Sequence, residues 1–201
     1  MTDFVHPYEK LTLVQVGWPV AIYLLATHIF MLRKADFCKE WLVKFPRNYK
    51  AGVILMGIGL GWFWLLIAPE KSALPFLSKF SMDLAEFNSL KNTLRLVVPA
   101  FFIGMCLYVR EFLAVRGLGL VALMAAGPIL QGGMFKDEPT RFLIPIFAYI
   151  ILTIGIYCVG MPYLLRDTIK WVTASDQRYK GFVYAGLGYG VLVLICTLFL
   201  W

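Results

Sequence analysis

Six long apolar runs, residues 11–32, 51–68, 93–109, 118–134, 142–165 and 181–201, contain no Asp or Glu, and they constrain this chain more than any other feature. A helix crossing the hydrocarbon core of a bilayer needs about 20 mostly apolar residues. Barrel strands would be shorter and would alternate polar with apolar residues, whereas these runs are apolar throughout. A composition of 60% apolar and 15% charged residues also lies outside the range of soluble domains. The expected fold is an all-α integral membrane protein, a single polytopic domain over residues 1–201 with six transmembrane helices set as three helical hairpins. The segments between the runs are too short to form a soluble core of their own. The first run exceeds the apolar core of a signal peptide and is stopped by Arg33-Lys34, so it reads as a true span.

Basic residues set the expected orientation. Arg33, Lys34, Lys39, Lys44, Arg47, Lys50, Arg110, Arg116, Arg166, Lys170, Arg178 and Lys180, 12 of the 19 Lys and Arg, fall in the odd-to-even connections. The other seven share the opposite side with seven of the 12 acids. The positive-inside rule then puts both termini outside the cytoplasm, and the reading places the protein in a bacterial inner membrane. The net charge of +7 is assigned to orientation and to anionic lipid headgroups. Nucleic acid is not expected as a partner, because the basic residues are dispersed among short loops.

Glycines alternate in two of the runs. Gly57, Gly59 and Gly61 follow Tyr49-Lys50, just as Gly186, Gly188 and Gly190 follow Tyr179-Lys180. Upstream, Ile22-Tyr23 and Leu32-Arg33 match Ile156-Tyr157 and Leu165-Arg166, and Tyr108, Arg110 and Arg116-Gly117-Leu118-Gly119 form a fainter third copy. A parallel repeat of hairpin 1-2 in hairpin 5-6 would account for this, but convergent membrane composition is the preferred reading. Phosphate-cradling glycines lie between a strand and a helix start, but these are inside apolar runs. Gly57 with Gly61 and Gly186 with Gly190, each pair four residues apart, are therefore expected to be helix-packing faces, and Ala122 with Ala126 gives the fourth run a similar one.

The candidates for chemistry are few. His28 could ligate haem or a chlorin as an axial ligand. The only other histidine, His6, belongs to the opposite face, so a hydrogen-bonded interfacial role is preferred and no cofactor is expected. Cys38, Cys106, Cys158 and Cys196 lack metal-ligand spacing. Pro128, Gln131, Pro145 and Pro162 could kink spans and line a path, as in a transporter, but neighbouring helices satisfying the freed carbonyls is the preferred reading. The spans also hold no embedded carboxylate for ion coupling.

Between the second and third runs, residues 75–92 read as an amphipathic interfacial segment opened by Pro75, with Leu77, Phe80, Leu84 and Phe87 at helical spacing and Lys79 on another face. Phe37, Trp41, Leu42 and Phe45 form a shorter amphipathic stretch ended by Pro46. No nucleophile elbow, zinc-protease or Walker motif occurs, so catalysis is not expected. The leading expectation is a non-catalytic structural or accessory subunit of a larger membrane complex, its partners being the bilayer and other transmembrane subunits or further copies of itself. A small transporter or channel comes second, and a haem- or pigment-binding subunit using His28 third.

Overall fold

The computed structural model describes residues 6–69, 80–134 and 138–201. Among these residues there are no strands, and the α-helices are α1 (Leu13–Arg33), α2 (Ala35–Lys44), α3 (Tyr49–Leu66), α4 (Lys91–Tyr108), α5 (Leu113–Gly133), α6 (Leu143–Gly160), α7 (Pro162–Thr173) and α8 (Asp176–Phe199). Six of them, α1, α3, α4, α5, α6 and α8, are long and apolar enough to cross a membrane, α4 and α6 being extended by short 3-10 turns at their starts. They coincide with the six apolar runs to within a few residues at most ends.

The start of α1 is fixed locally. Thr12 accepts a hydrogen bond from the Gln15 N–H at 3.2 Å, and the Gln15 side-chain oxygen accepts one from the Thr12 N–H at 3.1 Å, a reciprocal cap for two otherwise unpaired donors. Asn48 caps α3 by accepting from the Ala51 N–H at 3.1 Å.

Besides the sixth span, which begins at Asp176 and so five residues earlier than expected, three boundaries depart from the expected ones. The fifth span ends at Gly160 and not at residue 165, because Pro162 opens a separate helix, α7, where its missing N–H costs nothing. Pro162 is thus a helix start and not a kink within a span. The fourth span begins at Leu113, five residues earlier than expected, which brings Arg116 into its first turn. The amphipathic helix expected over 75–92 is not seen as such: residues 75–79, with Pro75, Leu77 and Lys79, lie outside the described residues, Ala85–Leu90 is a 3-10 turn, and Lys91 already opens α4. The stretch around Phe37 and Trp41 does form a helix, α2.

The closest helix pairs are α5 with α6, α3 with α5, and α1 with α8, and α4 packs more lightly on α3. No expected hairpin is among these pairs: the second span leans on the fourth, the fourth also on the fifth, and the sixth returns to the first. α5 is the central element, lying between α3 and α6. Its glycines explain how. On a helix, residues two apart point about 200° apart, so Gly117 and Gly119 serve opposite neighbours. A Cβ at Gly117 would lie 2.8 Å from the Met56 nitrogen of α3, and one at Gly119 would lie 2.7 Å from the Gly155 carbonyl oxygen of α6. Gly52 of α3 completes the first crossing, 2.7 Å from the Ala114 nitrogen, and Gly155 the second, 2.9 Å from the Gly119 carbonyl oxygen.

At one end of the bundle α2 and α7 pack together, and Cys38, Val172, Tyr179 and Val183 form a buried cluster there with the start of α8. Lys39 of α2 forms an ion pair with Asp176 at the first position of α8. At the other end, the His6 ring nitrogen Nε2 lies 3.1 Å from the Phe80 carbonyl, Trp62 donates to the Tyr8 hydroxyl at 2.5 Å, and Trp201 donates to Thr140 at 2.8 Å.

Candidate functional site

The expected glycine faces separate into two kinds. Gly186 and Gly190 of α8 face α1: a Cβ at Gly186 would collide with the His28 imidazole, and one at Gly190 would lie 3.0 Å from the Leu24 Cβ. Gly57 and Gly61 do not meet a neighbouring backbone. A Cβ at Gly57 would make ordinary 3.7 Å contact with the Phe102 ring, and one at Gly61 would have nothing within 4 Å. The close crossing of α3 uses Gly52 and Gly59 instead, because α5 lies on their side of the helix. In α5, Ala126 is buried and Ala122 half-buried.

His28 is 9% exposed, with its Nδ1 2.7 Å from the Leu24 carbonyl one turn earlier. A carbonyl can only accept, so Nδ1 is the donor of that bond, and Nε2 is directed at Gly186. The approach an axial ligand would offer a macrocycle is therefore filled by α8, so the haem reading does not fit this packing.

Proline effects are local. Pro99 lies within α4 and cannot donate to the carbonyl of Arg95 four residues earlier; the Trp64 indole of α3 supplies that bond at 3.2 Å. Pro145 occupies the first turn of α6, where no intrahelical donor is required, and Pro128 lies inside α5. Pro128, Gln131, Pro145 and Pro162 line neither of the two cavities described next.

The larger cavity, about 710 Å³, is lined by Arg47, Tyr49, Arg110, Glu111, Phe112 and Arg166. Its residues come from three connections far apart in sequence: the turn before α3, the α4–α5 turn, and α7. Two helix N-termini meet there, α3 at Tyr49 and α5 just after Phe112, and each presents the positive end of its dipole. Tyr49 is anchored by donating to the Cys106 carbonyl at 3.1 Å. Phe112 has φ 55°, the left-handed region, and its side chain does not cap α5. Such a conformation costs a non-glycine residue about 1–2 kcal/mol and is sustained by its surroundings.

Arg166 sits with its guanidinium 5.7 Å from the Phe112 ring centre and donates to Asp167 at 2.8 Å. That hydrogen bond raises the Arg166 pKa and holds the Asp167 carboxyl below its usual range. Among the described residues, Arg47 and Arg110 have no ion-pair partner. The sequence had counted these arginines only as orientation signals, because nothing in their spacing announces that they converge.

The smaller cavity is an apolar groove of about 180 Å³ between α3 and α4, lined by Gly57, Leu60, Gly61, Trp64, Val98, Pro99 and Phe102. The Gly57–Gly61 face thus borders open space. No family model, curated protein or solved structure matches this chain.

Proposed function

We propose that the protein is a multi-pass membrane protein acting as a non-catalytic structural or accessory subunit of a larger membrane assembly, with both termini on the non-cytoplasmic side. The observation that carries this reading is the unoccupied small-residue face of α3. Glycines four apart let a second helix approach closely, and in lipid such contacts supply much of the drive for association. Gly52, Gly59, Gly117, Gly119, Gly155, Gly186 and Gly190 are all used within the chain, whereas Gly61, like Gly104, Gly127, Gly160, Gly181 and Gly188, has nothing within 4 Å, and Gly57 beside it meets only a ring edge. Together Gly57 and Gly61 border the small apolar groove between α3 and α4. α4 beside it is largely exposed, with Leu96 79% and Phe101 52% accessible, as suits a helix covered by lipid or by another subunit.

Purification in mild detergent from the native source tests the proposal. The wild-type chain should carry a stoichiometric transmembrane partner, or a second copy of itself, that Gly61→Leu removes without lowering the melting temperature of the remaining chain. A chain that purifies alone, or a partner retained by Gly61→Leu, would defeat the proposal.

A further inference from the structure

The cavity at the end of the bundle bearing α2 and α7 has no part in that reading, and its chemistry is specific. Every cation lining it is an arginine, although the same connections also carry Lys34, Lys39, Lys44, Lys50, Lys170 and Lys180. Two of these lysines are engaged elsewhere: Lys39 pairs with Asp176, and Lys44 with Glu40. A guanidinium offers a planar fork of donors that matches the oxygens of phosphate two at a time, which an ammonium cannot do.

We propose that Arg47, Arg110 and Arg166 form a binding site for a phosphate-bearing group. Three like charges brought to one concave wall repel one another, and a low-dielectric surround focuses their field on the space between them. The two helix N-termini at Tyr49 and Phe112 add to the same positive potential. Glu111 is the one carboxylate lining the cavity, and among the described residues it forms no ion pair with any of the three arginines. Arg166 keeps its pairing with Asp167, so the charge left for an anion to neutralise is chiefly that of Arg47 and Arg110.

The volume, about 710 Å³, exceeds that needed for a bare phosphate and suits a phosphate with an organic substituent. Tyr49 and Phe112 supply the aromatic surface against which such a substituent would rest. A phospholipid headgroup and a soluble phosphate ester offer the same chemistry, and the experiment separates them.

The full chain in neutral detergent is titrated with inorganic phosphate, with glycerol 3-phosphate, and with short-chain phosphatidylglycerol, phosphatidylcholine serving as the zwitterionic control. Arg47→Gln, Arg110→Gln and Arg166→Gln are compared with Arg33→Gln, which removes an exposed charge outside the cavity. Saturable binding of an anionic probe that weakens tenfold or more in each cavity variant, and stays within twofold in Arg33→Gln, is the expected result. Binding of phosphatidylglycerol alone would identify a lipid headgroup as the source, and binding of the soluble phosphates would identify a water-borne ligand. No saturable binding of any anionic probe, or equal loss in Arg33→Gln, would overturn the proposal. Should the variants fold poorly, arginine modification by phenylglyoxal on the wild-type chain gives the same decision. The bound probe should protect Arg47, Arg110 and Arg166 but not Arg33, and uniform protection or none would overturn the site.

Discussion

His28 of α1 and Gly186 of α8 interlock: the imidazole occupies the space that any side chain at position 186 would need. The bond from Nδ1 to the Leu24 carbonyl holds the ring in that position, so the contact depends on the histidine being locked as much as on the glycine being bare. Gly186→Ala is therefore expected to cost about 1–3 kcal/mol by overpacking. Adding His28→Ala should recover part of that loss, because the new methyl then enters vacated space. Detergent-phase melting of the two single variants and the double variant measures the coupling, and strict additivity would contradict the interlock.

Trp64 and Pro99 define a second cycle. Trp64→Phe removes the indole donor and leaves the Arg95 carbonyl without a partner, at an expected cost of about 1–3 kcal/mol. Pro99→Ala restores a backbone N–H at position 99 that can take over this bond. In that background Trp64→Phe should cost clearly less, as read by the shift in melting temperature between matched pairs.

Glycine substitutions should sort by the neighbour each one meets. Gly52→Ala and Gly117→Ala place a methyl against backbone atoms of the facing helix, which cannot swing aside, and both should reduce the yield of folded protein. Gly61→Ala meets nothing within 4 Å and should be silent in the isolated chain. Size-exclusion profiles of the three variants decide the matter.

Tyr179 is 1% exposed and donates its hydroxyl to the Met31 carbonyl in the last turn of α1 at 3.0 Å. Carbonyls there lack intrahelical donors, so Tyr179→Phe should leave one orphaned at a cost of about 1–3 kcal/mol. Tyr49→Phe removes a similar bond to the Cys106 carbonyl, but that bond is exposed and water can replace it. The loss there should be smaller, and chemical denaturation of the two variants side by side would show the difference.

Orientation gives a prediction independent of packing. A reporter active only outside the cytoplasm should work when fused after Trp201. A cysteine introduced by Arg110→Cys should react with a water-soluble thiol reagent from the cytoplasmic side only. Labelling from the opposite face would reverse the topology derived from the basic residues.

Much of the architecture was legible because it follows from solvation. An apolar run without carboxylates has only a helix available if it is to satisfy its backbone in lipid, and all six runs are helical in the structure. Which helices touch was not legible. The four-residue glycine spacing pointed to Gly57 and Gly61, while α5 approaches the side bearing Gly52 and Gly59; periodicity describes a face but does not name its neighbour. Pro162 was read as a kink because an apolar stretch continues beyond it, although proline is equally suited to open a helix. The arginine cavity was hidden for a third reason. Arg47, Arg110 and Arg166 belong to separate connections, and their meeting is a product of tertiary packing alone.

The pairing of the first apolar helix with the last bears on how the protein is made. A ribosome releases α1 before the other spans, yet the face carrying Leu24 and His28 is matched chiefly by α8, which emerges after all five others. For most of synthesis that face has lipid or a helper protein as its only company, and an inserted His28 waits there for Gly186. A span that packs on its immediate successor, as α5 does on α6, can settle as that successor emerges, whereas this closure waits for the last of the six. Truncation before Gly186 should consequently yield a nascent chain whose first helix remains open to capture by insertion factors and quality-control proteases.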